Sequence, residues 1–233
     1  MKQLVARAIV LNRTDYGEAD RILTLLTPEF GKVSVLAKGV RRVKSKLAGG
    51  IELFSISQVT FIKGRSDLGT LVSSRLEVYF GNIVTDIDRT MKGYDYIKRL
   101  NFMTEDAPEP GYFELLCITF AALNDLTVTT PVIEVWFGMQ ALRLSGHEPD
   151  LHRDSAGEPL KPSMQYAFDI STMHFARAEN AGTFSANHIK MLRLSAQATT
   201  PQVLAKVQGG TQLCTQLVTL IQNLQRHSGL IKL

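Results

Sequence analysis

Few residues of this chain are spaced for covalent or metal chemistry. The densest group of ligand-type side chains is His147, Glu148, Asp150, His152 and Asp154. Its spacing matches no metal-ligand pattern, so it reads as a solvated polar loop and predicts no metal. His174, His188 and His227 stand alone and read as surface or capping residues. Cys117 and Cys214 lie far apart within apolar helical patterns, which is neither a disulfide framework nor a metal pair. Such cysteines suit a reducing cytoplasm. Gly49-Gly50 and Gly209-Gly210 lack the flanking residues of a phosphate loop. No Gly-x-Ser-x-Gly elbow is present, and neither cysteine has a base near it in sequence. Asp86 and Asp88 fall where a helix starts and favour its dipole. The expectation is a protein without catalytic residues and without a cofactor.

Anion binding is the chemistry the sequence does support. Lys38, Arg41, Arg42, Lys44 and Lys46 fall within nine residues, with no acid among them. Val40, Val43 and Leu47 are set among these cations. Residues 1–80 carry 13 Lys+Arg against 7 Asp+Glu, whereas residues 81–233 carry 13 against 15. The charge excess therefore belongs to the front of the chain, as expected for a domain that meets a polyanion. Lys32, Lys63, Arg65 and Arg75 add to it as second choices. A cluster that repels itself is expected to be mobile until an anion arrives, with hydrogen bonds missing across residues 39–49. Aromatic rings beside such a groove would stack bases. Tyr16 and Phe30 are the best placed in the front segment, although turn packing is the expected role of each.

The elements that position these charges are short strands. Ala6–Asn12, Arg21–Thr27, Lys32–Lys38, Phe54–Lys63 and Leu71–Tyr79 are β-rich and separated by turn signals such as Asp15-Tyr16-Gly17-Glu18 and Pro28-Glu29-Phe30-Gly31. In the third strand Val33, Val35 and Ala37 alternate with Lys32, Ser34 and Lys38, so the two lysines project from one side. In the fourth, the phase shifts between Ile56 and Val59, which predicts a bulge. Five strands in about 80 residues, with a long connection between the third and fourth, fit an oligonucleotide-binding (OB) barrel. An SH3-like barrel fits the same pattern.

After Tyr79 the period becomes helical. Ile87, Met91, Tyr94, Ile97 and Leu100 form one stripe, and Phe113, Leu116, Cys117, Phe120 and Leu123 a second. Thr130-Pro131 reads as cap and first turn of a helix that is apolar nearly all round and therefore central. Residues 147–182 show no period. Ser185–Ala196 is helical, Thr200-Pro201 repeats the cap signal, and Leu213, Leu217, Leu220, Ile221 and Leu224 mark a last helix. The predicted fold class is α+β: a five-stranded OB-type β-barrel over residues 1–80, then an α-helical domain over 81–233 with an irregular insertion at 147–182. Arg7 and Asn12 interrupt the N-terminal apolar residues, so no signal peptide is expected. No apolar run approaches bilayer length, and a cytoplasmic protein is expected.

The run Asp15-Tyr16-Gly17-Glu18-Ala19-Asp20-Arg21-Ile22-Leu23-Thr24-Leu25-Leu26-Thr27, with Gly31-Lys32-Val33 and Ala37 through Leu47, closely resembles the bacterial RecO family. Phe54 and Leu68-Gly69-Thr70-Leu71 extend the similarity, which covers roughly residues 5–80. Further on, Leu142, Ser145-Gly146-His147 and Pro149-Asp150-Leu151 are similar in layout only. Many members of the family place Cys-x-x-Cys after the position of Asp150-Leu151, as a zinc site. Here the stretch is His152-Arg153-Asp154-Ser155-Ala156-Gly157, so the chain resembles the zinc-free branch, with Tyr166, Phe168 and Phe175 expected to supply packing instead.

The resemblance implies a recombination mediator in DNA repair. Such a protein binds single- and double-stranded DNA and anneals single strands. It assists recombinase loading onto DNA coated by single-strand binding protein (SSB). Implied partners are RecR and the SSB C-terminal tail, and the implied place is the nucleoid. Two other readings fit the residues: an RNA-binding OB factor, and an adaptor whose basic face takes an acidic protein tail. Arg143, Lys190 and Arg193 lie in helices, and any one of them is a candidate for the cation that holds such a tail's carboxylate; the sequence does not choose among them.

Overall fold

The computed structural model describes residues 2–64, 67–104, 110–178 and 182–231. The chain forms two compact units, Met1–Asn124 and Asp125–Leu233.

The first unit is built on five strands: β1 (Gln3–Tyr16), β2 (Asp20–Thr27), β3 (Gly31–Ala37), β4 (Ser55–Ile62) and β5 (Leu68–Tyr79). They close into a barrel in the order β1-β2-β3-β5-β4, with β4 returning to β1. Only β3 and β5 pair in parallel. Closure leaves the barrel interior to small and branched side chains and one aromatic ring: Ala6, Ala8 and Val10 from β1, Leu23 and Leu25 from β2, Val35 and Ala37 from β3, Val59 and Phe61 from β4, and Leu71 from β5. The β4–β5 register shifts at Ile56/Ser57 and at Thr60/Phe61, where the phase of the sequence had changed.

This unit does not end with the barrel. Ile9, Leu11 and Leu26 are buried although they lie on the opposite side of the pleat from the core residues. Helices α1 (Ile87–Met103) and α2 (Pro110–Asn124) pack against β1 and β2 and cover that side. Asp86 caps α1, accepting from the Arg89 N–H at 3.0 Å. Phe54 is the peg between barrel and helices. It holds φ at +55° and meets Tyr94 and Phe120 edge to face, with centroids 5.2 and 5.5 Å away. A Cβ at Gly93 would stand 2.5 Å from its ring. The compact unit thus runs to Asn124, past residue 80, because two helices complete the burial of the outer barrel wall.

The second unit surrounds α3 (Thr130–Leu144), whose residues Val132–Met139, Ala141 and Leu142 are buried. Its cap is Thr129, one residue before the expected Thr130. Around it stand α4 (Ala186–Gln197), the short α5 (Gln202–Ala205) and α6 (Gly210–His227). Three α3 side chains on one face satisfy the open carbonyls at the end of α4. Trp136 Nε1 donates to Ala198 O at 2.8 Å, Gln140 Nε2 to Ser195 O at 2.8 Å, and Arg143 to Ala196 O at 3.0 Å.

The insertion is less irregular than its sequence. It holds an antiparallel hairpin, β6 (Tyr166–Asp169) and β7 (His174–Arg177). Phe175 meets Phe168, Tyr166 and Phe184 edge to face at 4.8, 6.2 and 5.9 Å, so the expected aromatic packing includes a fourth ring.

Candidate nucleic-acid interface

The basic segment leaves β3 at Ala37 and returns at Ser55. Most of its apolar residues anchor it: Val40 and Ile51 are buried in the barrel core, and Leu47 and Ala48 pack against it, whereas Val43 is fully exposed. Gly39, at φ +64°, starts the turn and donates its N–H to Asp20 Oδ1 at 2.7 Å. Arg41 N–H donates to Ala19 O at 2.9 Å, Arg42 N–H to Gly39 O at 3.1 Å, and Ser45 N–H to Arg42 O at 2.9 Å. At the far end Ser74 Oγ donates to Leu47 O at 2.9 Å, and Gly50 lies so close to Ser74 that a Cβ would stand 2.6 Å from it. The expectation of missing hydrogen bonds across residues 39–49 is therefore corrected. The loop is a chain of turns pinned at both ends.

Pinning Val40, Leu47 and Ile51 inward leaves the cations outside, together with Val43. Lys38, Arg41, Arg42, Lys44 and Lys46 are all exposed. The register of the β1–β2 hairpin sets Asp15 opposite Arg21 and brings both beneath the loop. Asp15 accepts from Arg21 Nε at 2.8 Å and lies 3.5 Å from Arg41. The Arg21 hydrogen bond outweighs its partial desolvation and, with the charges on Arg41 and Arg13, holds the Asp15 carboxyl below the usual carboxylate range. Arg13 pairs with Glu52 at 3.3 Å. So Arg41 has an acid partner that its sequence neighbourhood lacks. Lys38, Arg42, Lys44 and Lys46 pair with no acid among the described residues.

The second-choice cations are dispersed. Lys32 and Lys38 do follow the non-core phase of β3, but Lys32 is half-buried and its Nζ donates to Asn101 O near the end of α1, at 2.9 Å. A cation there complements the helix C-terminus. Arg75 is exposed and follows Ser74, so it is carried beside the end of the basic loop. Lys63 is exposed at the far end of the β4–β5 pair, where Ile62 faces Thr70. Four residues of β5 separate that level from Ser74, about 13 Å. Arg65 lies outside the described residues. Arg13 and Arg21, which the charge count did not single out, stand at the loop's base. The signal for them was the hairpin itself, whose turn at Gly17 fixes the cross-strand pairs.

The two aromatic candidates part company. Phe30 packs edge to face on Phe61, with centroids 5.7 Å apart. Tyr16 is 55% exposed at the tip of β1.

The His/acid group of the insertion is structural. Asp150 Oδ1 accepts from the N–H groups of His152 and Arg153 at 2.7 and 3.0 Å. Asp154 Oδ1 accepts from those of Ala156 and Glu158 at 3.1 and 2.9 Å, and its other oxygen pairs with Arg177 of β7 at 2.7 Å. His188 accepts the Ser185 N–H at 3.1 Å and caps α4, as a lone histidine was expected to do. A cavity of about 420 Å³ opens near by, lined by Arg143, Glu148, Asp150 and Arg193 among others.

A closed five-stranded barrel with a parallel β3–β5 closure, followed by helices, defines an OB-type domain joined to a helical unit. Comparison with known proteins gives two family models, one over the barrel and one over most of the remaining chain. The family model described as Recombination protein O N terminal matches residues 1–80, and that for the C terminal matches residues 100–226. The chain belongs to the RecO family of DNA repair proteins. A DNA repair protein RecO of Halalkalibacterium halodurans is 31% identical over 198 residues, 81% of this chain and 76% of that protein. One from Dehalococcoides mccartyi is 37% identical over 147 residues, 62% of this chain, and one from Rhodopirellula baltica 34% over 149. The chain spans only 57% of the Dehalococcoides protein's length. Among the described residues no helix is long and apolar enough to cross a membrane.

Proposed function

We propose that the chain is a DNA-binding recombination mediator, which binds and anneals single-stranded DNA and assists recombinase loading onto SSB-coated DNA. The observation that carries this reading is the anchored loop. Val40 and Ile51 are spent in the barrel core, Val43 is exposed, and four cations without acid partners among the described residues face outward beside Arg41. Annealing requires a surface that gathers two backbones and lowers their repulsion, and released counterions supply the free energy without reading sequence. Lys38, Arg41, Arg42, Lys44 and Lys46 neutralise phosphates, with Arg75 and then Lys63 extending the path. The reading includes no covalent step. It places the protein in the cytoplasm at the nucleoid, with RecR as a partner. The test is annealing of complementary oligonucleotides by the wild type and by the triple variant Arg41→Ala, Arg42→Ala, Lys44→Ala. Equal annealing rates in two folded proteins would refute it. Structured RNA that outcompetes single-stranded DNA would move the reading to an RNA-binding factor.

The adaptor role keeps one supporting observation, in the helical unit. Arg143 and Arg193 line the cavity of about 420 Å³, and Arg193 also borders a smaller one with Lys190. A terminal carboxylate such as that of the SSB tail would take guanidinium N–H groups there. Titration of an SSB tail peptide against wild type and Arg193→Glu reads this directly, and equal affinity would remove the assignment.

A further inference from the structure

Among the described residues of the barrel, Tyr16 is the exposed ring with the most room for a partner. Tyr94 is also exposed, but it packs on Phe54. Tyr79 lies against Gly81, where a Cβ would stand 3.2 Å from its ring. Tyr16 has no ring or hydrogen-bond partner for its side chain among the described residues, and a Cβ on its neighbour Gly17 would meet nothing within 4 Å. The position is fixed rather than loose. Tyr16 pairs in register with Asp20, whose carboxylate holds the first turn of the basic loop through the Gly39 N–H. Cross-strand neighbours stand about 5 Å apart, so the ring is carried beside the loop's anchor.

Its side of the sheet matters too. Arg13 lies opposite the core residue Leu23, so Thr14 and Tyr16 point to the outer surface. On that surface Thr14 faces Ile22, Ile22 faces Leu36, and Leu36 faces Thr70. None of these four is buried. A low, weakly apolar track thus crosses β1, β2, β3 and β5, with Tyr16 at one end and Lys38 just past the end of β3.

We propose that Tyr16 is a base-stacking platform for single-stranded nucleic acid. Its ring takes the face of an unpaired base while the phosphates of the same strand lie against the cations of the loop. Every base has a π-face, so the platform discriminates strand state rather than sequence. In a duplex those faces are covered by neighbouring pairs, and the platform contributes nothing. The inference rests on the DNA-binding reading and adds to it a contact that salt does not screen.

The test uses fluorescence anisotropy at one salt concentration, with three probes: a short oligo-dT strand, an abasic strand of equal length, and a duplex. Tyr16→Ala and Tyr16→Phe are compared with wild type. The side chain is exposed, so both variants are expected to fold, which circular dichroism checks. Tyr16→Ala is expected to lose about fivefold or more in affinity for oligo-dT. It should match wild type on the abasic strand and the duplex, and Tyr16→Phe should match wild type throughout. An unchanged oligo-dT affinity overturns the proposal. So does an equal loss on oligo-dT and the abasic strand, since that would mean a displaced loop rather than a lost stack. Failure of the wild type to bind any probe would instead refute the DNA-binding reading itself.

Discussion

The charge reading makes a quantitative prediction about salt. Five exposed cations, Lys38, Arg41, Arg42, Lys44 and Lys46, stand on the anchored loop. If each neutralises one phosphate of a single strand, log affinity falls with log salt at a slope of about −3.5. Between 50 and 200 mM salt that slope amounts to a loss of about 130-fold. Changing Arg41, Arg42 and Lys44 to Ala leaves two contacts, a slope of about −1.4 and a loss of about sevenfold over the same range. The assay is anisotropy of a labelled oligo-dT strand at several salt concentrations, with circular dichroism and a denaturant melt as fold controls. Lys32→Met separates charge from position. Its ammonium is spent on Asn101 O, so the slope should stay at the wild-type value while stability falls by about 1–2 kcal/mol. An unchanged slope in the folded triple variant would refute the assignment. A Lys32→Met slope reduced as much as any loop substitution would refute the structural account of that lysine. A wild-type slope clearly steeper than −3.5 would bring in the exposed Arg75 and Lys63.

Other expectations concern the scaffold. Gly138→Ala would place a Cβ 2.0 Å from Ile221 Cγ2, so α3 and α6 must separate; a loss of about 1–3 kcal/mol is expected in a denaturant melt followed by Trp136, the single tryptophan. Burial raises the Asp154 carboxyl, but the Glu158 and Ala156 N–H groups and Arg177 outweigh it and hold its pKa below the usual value. A lowered folded pKa stabilises above the unfolded value, about pH 4, and that stability is lost as pH falls through the folded one. Limited proteolysis with an acid-active protease should therefore begin to cut the insertion below about pH 4, and Asp154→Asn should be cut at higher pH. Burial, joined by the Glu114 charge at Cys117, pushes both thiols up to about 12. A thiol reagent at pH 8 should leave buried Cys214 unlabelled until the protein unfolds and label half-buried Cys117 slowly; rapid native labelling of Cys214 would contradict its burial.

Much of the barrel is legible in sequence because its core obeys a period of two. Val33, Val35 and Ala37 face inward as alternation requires, and the phase change in β4 is a real register shift. What escapes is whatever a second partner imposes. Ile9, Leu11 and Leu26 look like lapses in alternation until α1 and α2 cover them, so the extent of the first unit is not readable from the strands. β1 continues to Tyr16, past the expected end at Asn12, because Arg13–Tyr16 are paired by β2 and not by core burial. β6 and β7 are four residues each, too short to display a period, and their order comes from aromatic contacts and Asp154. Among the interface residues, exposure of the five loop cations followed from charge alone. The Asp15–Arg41 pair did not, since the two are far apart in sequence and meet through hairpin register.

That pair changes what the loop must do when an anion arrives. A patch without acids would bind by attraction alone. Here Asp15 already neutralises part of Arg41 and Arg21, so a phosphate on Arg41 competes with a carboxylate fixed 3.5 Å away. Arg42, Lys44 and Lys46 face no such competitor among the described residues, and they stand on the stretch between the two apolar anchors, Val40 and Leu47. Their mutual repulsion is opposed by burial of Val40, about 1.5–3 kcal/mol for an aliphatic side chain fully removed from water, and by the partial burial of Leu47. On the DNA-binding proposal, a bound backbone would relieve that repulsion on a loop already pinned at both ends. On the same proposal, a strand would therefore meet Lys38, Arg42, Lys44 and Lys46 without a competing acid among the described residues and Arg41 with one.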